Sequence, residues 1–176
     1  MKKYKIITSG ENKGRIRALR SFGYVEEGEI GGYVDSEYNL SHEGDCWVSG
    51  KSRVCENVKV FGDALVAGNA WVFGDAWVFG NAEVYGNAGV HGNAWVFGDA
   101  QVHGNARVSG NARVFENAKL SEGVWVSENA CVFGNVDICG NSLVFGGAWV
   151  YEDAQVYRDA QICGNSVVWG KEKVYE

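Results

Sequence analysis

The chain has 176 residues, 46% of them hydrophobic, with 25 glycines, no proline and a formal net charge of −6. That length and apolar content allow one ordinary domain with a real core and exclude a disordered chain. Glycine at this level without proline excludes both collagen and a flexible linker, and points to glycine used at a fixed structural place.

From the N-terminus, MKKYKIITSGENKG turns polar too soon for a signal peptide, and no apolar run further on is long enough to span a bilayer. Residues 1–20 carry seven Lys/Arg against the single acid Glu11, so this end is +6 and the rest of the chain −12. Such an end reads either as a solvated charged piece or as an anion-attracting tip on an acidic body. KYKIIT and IRALRSF read as short strands. Residues 1–45 are out of register with the rest of the chain, because Leu40 and Val48 are eight apart, and are expected to form an N-terminal cap with an irregular first coil.

From residue 46 to 176 one phrase recurs. Every sixth residue from Val48 to Val174 is aliphatic, 22 in succession with no insertion. Two residues before each stands Ala, Ser, Cys or Val, except at Glu172. Residues two apart on a strand share a side, so Ala-x-Val is a short strand with both named residues inward. The Gly-Asn or Gly-Asp after it supplies a corner, since both residue types tolerate positive φ. Three such six-residue sides close a triangle, giving about seven coils and a prism roughly 30–35 Å long at the ~4.8 Å spacing of strands. The break at Glu172 and the charged KEKVYE are expected to cap the far end.

Residues 18 apart stack on one outer face, so three faces can be read directly. The first stacks Arg53, Trp71, Gly89, Arg107, Trp125, Leu143 and Gln161, with His91 and Ser109 in its second row. The second stacks Lys59, Trp77, Trp95, Arg113, Cys131, Trp149 and Val167, beside an aromatic ladder of Phe61, Phe79, Phe97, Phe115, Phe133, Tyr151 and Trp169. The third, with Trp47, Glu83, Gln101, Lys119, Asp137 and His103, is largely polar. A soluble monomer rarely exposes as much apolar surface as the second face carries. Trp77, Phe79, Trp95, Phe97, Phe115, Phe133, Trp149, Tyr151 and Trp169 are therefore expected to form an oligomer interface, the aromatics lying outside a core of Val and Ala.

Hexads such as VYGNAG and VFGDAQ resemble the hexapeptide repeat of left-handed parallel β-helix proteins, over residues 46–174. The resemblance implies an all-β, left-handed parallel β-helix with a small N-terminal cap, and a parallel homotrimer, with a dimer as the alternative. The left hand comes from the family, since the general preference for right-handed crossovers gives the opposite. GGYVDSEYNLSHEGDCWV, residues 31–48, is similar to the leader of a group of bacterial and phage hexapeptide-repeat proteins labelled as transferases by fold analogy, which is weak ground for chemistry. Hexapeptide acyltransferases place a catalytic His near a cleft between subunits, often beside a projecting loop. Here no loop interrupts residues 48–174, and no residue matches a catalytic position. A zinc site of the γ-carbonic-anhydrase kind needs three converging His, but His91 and His103 lie on different faces. An ice-binding Thr ladder is excluded, because Thr8 is the only Thr.

Binding is the preferred reading. Arg107 and Arg113 stand beside Trp71, Trp95 and Trp125, with His91, His103 and Ser109 nearby. A cation for phosphate and a flat surface for a base are what a nucleotide needs. The expected function is a non-enzymatic homo-oligomer holding a small anionic ligand such as a cyclic nucleotide at subunit interfaces, as phage sponges hold host immune signals. A CoA-dependent acyltransferase, a structural or assembly module and a protein-binding module are the alternatives. No metal or cofactor is expected, nor a membrane, and the acidic repeat disfavours long nucleic acid. Five cysteines without a CxxC pair fit a reduced cytoplasm, that of a bacterial host cell.

Overall fold

The computed structural model describes residues 2–175, and all its regular elements are strands. β1 (Tyr4–Ile6), β2 (Arg15–Ala18) and β3 (Ile30–Val34) come first. From β4 (Trp47–Val48) and β5 (Arg53–Val54) onward, strands of two or three residues recur every six residues to Lys173–Tyr175. None of the described residues forms a helix long and apolar enough to cross a membrane.

The short strands form three parallel sheets, each pairing a residue with the one 18 further on, as Trp71 with Gly89 and Gly89 with Arg107. Backbone N–H groups donate across the turns to the carbonyl 17 residues on: Trp71 to Ala88 at 2.9 Å, Phe73 to Val90 at 3.0 Å, Asp75 to Gly92 at 2.8 Å. The chain is thus an all-β parallel β-solenoid. Its third sheet has eight strands, one per turn, against the seven coils expected. The additional turn comes from upstream, where β3 already runs parallel to β5 and Leu40 bridges Val60.

The inward rows are as the repeat requires. The Val and Ala series from Ala64 to Ala160 is fully buried. The corners differ in detail from expectation. The residue two after each Val takes positive φ, 73° at Gly86 and 60° at Glu56. The Asn beside it does not, and works through its side chain instead. Asn69 Nδ2 donates to Asn87 Oδ1 at 3.1 Å and Asn87 Nδ2 to Asn105 Oδ1 at 3.2 Å, an amide ladder along the edge. At Gly86 a Cβ would sit 3.0 Å from the backbone N and O of Gly104, so stacked corners also favour the smallest residue.

β1 and β2 form an antiparallel hairpin, and β2 pairs antiparallel with β3 through a register shift. This hairpin closes one edge of the first sheet and covers the end of the prism. Trp47, expected on an outer face, is fully buried there, edge-on to Phe22 at 5.5 Å and Tyr4 at 6.4 Å. Only a glycine fits at Gly31, because a Cβ would run into Val48 O and the Trp47 ring. Lys3 is also fully buried rather than solvated. Its Nζ donates to Gly44 O at 3.0 Å and Cys46 O at 2.9 Å, holding the loop that makes Leu40 and Val48 eight apart. At the opposite end Lys173–Tyr175 forms the last rung, paired with Gln155–Tyr157.

Replacing Lys3 with Met keeps the packing volume but strands those buried carbonyls, at a cost of about 1–3 kcal/mol. Thermal unfolding is expected to show a clearly lower Tm for Lys3→Met. An unchanged Tm would show that the ammonium does not hold the loop.

Candidate functional site

The first face carries the most cations beside aromatic rings. Its outer row runs Tyr33, Arg53, Trp71, Gly89, Arg107, Trp125 and Leu143, each rung paired with the next. The Arg53 guanidinium lies 4.4 Å from the centre of the Tyr33 ring, and that of Arg15 lies 5.8 Å from it on the other side. Arg15 is aimed by carbonyls, its Nε donating to Gly31 O at 2.7 Å and its Nη2 to Gly50 O at 3.1 Å. Among the described residues the only ion pair is Lys2–Glu37, so the half-buried Arg15 and the exposed Lys51, Arg53 and Arg107 have no carboxylate partner. In a chain of net charge −6 such cations attract anions locally against the average field.

Two recesses adjoin along this row and share Trp71. One, of about 610 Å³, is lined by Arg15, Tyr33, Lys51, Arg53, Asn69 and Trp71. The other, of about 290 Å³, is lined by Trp71, Phe73, Asn87, Ala88, Gly89, His91 and Arg107. The His91 ring stacks on Phe73 at 4.8 Å. Burial, helped by the Arg107 charge, holds its pKa below the ordinary value of 6.5, so the imidazole is neutral at neutral pH. One rung beyond Arg107, Trp125 Nε1 donates to Ser109 Oγ at 3.0 Å.

Of the residues singled out in the sequence, Trp71, His91 and Arg107 come together, with Trp125 and Ser109 adjacent on the same face. Arg113 and Trp95 pair with each other on the second face, guanidinium 5.2 Å from the indole centre. His103 lies on the third face, stacked on Tyr85 at 4.8 Å. Arg15, Tyr33 and Lys51 belong to the site, and the sequence reading missed them. Extending the repeat upstream across the two-residue insertion would have placed Tyr33 in the Arg53 row.

The second face is a regular aromatic stack. Phe61, Phe79, Phe97, Phe115, Phe133 and Tyr151 lie 4.7–5.1 Å apart and within 5° of parallel. Trp77 and Trp149 flank it at 39% and 49% exposure, and Trp169 stands in the next rung at 56%. Most aromatic side chains are therefore outside the core, with Tyr4, Phe22 and Trp47 the exceptions, all at the covered end.

Removing the Arg107 charge tests the electrostatics of the recess. Because a nearby cation disfavours the imidazolium, Arg107→Gln is expected to raise the His91 midpoint in an NMR titration. A His91 midpoint that stays put would show that burial alone sets it.

A family description, YdcK Beta solenoid repeat, matches residues 106–122. No curated protein matches the chain. The matched segment spans the strands of Arg107 and Arg113, inside the solenoid. On the match and the fold together, the chain is a β-helix repeat protein.

Proposed function

We propose that the chain is a non-enzymatic binding protein that captures a small anion bearing a flat ring, a nucleotide in class, on its first face. The observation that carries the reading is the row itself. Cations without a carboxylate partner (Arg15, Lys51, Arg53, Arg107) lie beside Tyr33 and Trp71 over two adjoining recesses, with Trp125 in the next rung beyond Arg107. Guanidinium groups bind phosphate, and exposed rings stack on bases without the chain having to rearrange. Binding is favoured over acyl transfer because His91, the one imidazole at the site, is packed against Phe73 with no hydrogen bond to a carboxylate among the described residues.

A second observation favours self-association. The second face presents Trp77, Trp95 and Trp149 along an aromatic stack with Arg113 as its one guanidinium, and a second copy of the chain covers such a surface most simply. In this reading the protein is a homotrimer of left-handed hexapeptide coils in the cytoplasm of a bacterial host. It holds its ligand out of circulation without altering it, the role of a phage-borne sponge.

Catch and release tests this directly. The protein is mixed with cyclic dinucleotides, cyclic trinucleotides, ADP-ribose derivatives and acetyl-CoA, filtered, and then heated. One nucleotide is expected to leave the filtrate and return intact, from a species sedimenting at a multiple of the 19.2 kDa chain. A chemically changed product would make the protein an enzyme, and no depletion would make it a scaffold.

A further inference from the structure

The first and second faces carry the same three-residue outer row with one difference. On the second face Trp77, Trp95 and Arg113 occupy consecutive rungs. Trp77 and Trp95 stack at 5.4 Å and 13°, and the Arg113 guanidinium closes over Trp95 at 5.2 Å. Six residues earlier in each case, the first face has Trp71, Gly89 and Arg107 on consecutive rungs. It is the same row of residues with the middle ring taken out, and the Trp71 indole, with no ring in the next rung to stack on, leans towards Phe73 at 4.9 Å and 42°.

The backbone does not ask for that glycine. Gly89 lies in a strand and, unlike the corner glycines, has no positive φ. A Cβ there would meet nothing nearer than Arg107 Cγ at 3.9 Å. In a strand interior glycine lacks packing and weakens the rung, so its use here has a local cost without a local structural return. What its absence of side chain creates is open space between an indole and a guanidinium. The two flanking rungs are two strand spacings apart, roughly 9–10 Å. A planar ring placed midway therefore lies at about the distance that stacked rings keep in this protein, once the Trp71 indole turns parallel to it as Trp77 is to Trp95.

We propose that Gly89 is the floor of a seat for the base of a nucleoside phosphate, which lies between Trp71 and Arg107 and takes the place that Trp95 fills on the neighbouring face. The phosphate is then received by the cations on the far side of Trp71, Lys51 and Arg53, whose recess shares that indole. The seat rests on the reading of the first face as a ligand site, and it names the part of that face which selects a ring.

The test writes the second face into the first. Gly89→Trp is expected to fold normally, because the trio it creates already stands one side away. AMP is the probe, measured by calorimetry against wild type, Gly89→Trp, Gly89→Leu and Arg53→Gln; Leu143 already occupies the same row, so the Leu variant guards against misfolding of the first. Filling the seat is expected to weaken AMP about tenfold or more, the worth of one base stacked on aromatic surface. Ribose 5-phosphate, which lacks a ring, is expected to bind wild type and both filled variants alike. Equal AMP affinity in wild type and the filled variants, with loss in Arg53→Gln, would overturn the seat and leave the first-face reading standing. No AMP bound by wild type would overturn both. A drop in sedimenting mass on filling the seat, with AMP affinity unchanged, would show that it holds a neighbouring copy's side chain and would also overturn the proposal.

Discussion

Everything in this molecule depends on one backbone ladder, in which an N–H donates to the carbonyl 17 residues further on. A two-residue strand has almost no stability of its own. Stacked against identical strands above and below, each has its polar groups paired, and the ladder repeats without an edge until the ends. A residue added to a side of the triangle must be looped out of the ladder, as between Leu40 and Val48, because a single added residue kept within it would turn every inward Val outward. That constraint keeps the spacing at six from Val48 to Val174, and it stacks every outer residue under its counterpart 18 positions on.

Stacking in register turns the surface into rows, and rows have chemistry. Like rings 4.7–5.1 Å apart, from Phe61 to Tyr151, form a continuous apolar strip. On the next face the same geometry alternates guanidinium and ring, from Tyr33 through Arg53 and Trp71 to Arg107 and Trp125. The acidic character of the chain does not reach this row, since its cations are unpaired among the described residues. A rigid scaffold of this kind positions side chains without loops, so a recess is made by omission, one missing side chain in a row of large ones.

Much of this is legible in the residue spacing. The Val and Ala core, the glycine corners and the membership of each outer row come from period and pleat alone, and the buried series confirms them. What is not legible lies where the period breaks. Trp47 sits in register with outward residues, yet the hairpin of β1 and β2 folds over it, and nothing in the repeat announces a cover contributed from elsewhere in the chain. Lys3 reads as a solvated charge because its acceptors are carbonyls of an irregular loop 40 or more residues away. Arg15 enters the site by the same route, through a hairpin whose sequence partners are not periodic. The Asn residues suit the turn conformation by type, but the positive φ falls one residue earlier and their amides bond to each other instead.

The central claim is that the first face binds a flat anion by completing a row, with Gly89 as the cleared rung. A crystal structure of the protein grown with AMP tests it most directly. The account expects the adenine ring parallel to the Trp71 indole, between it and Arg107, with phosphate at Lys51 and Arg53. Adenine bound elsewhere, or a Gly89 recess filled by a side chain from a neighbouring copy in solution as well as in the crystal, would contradict it.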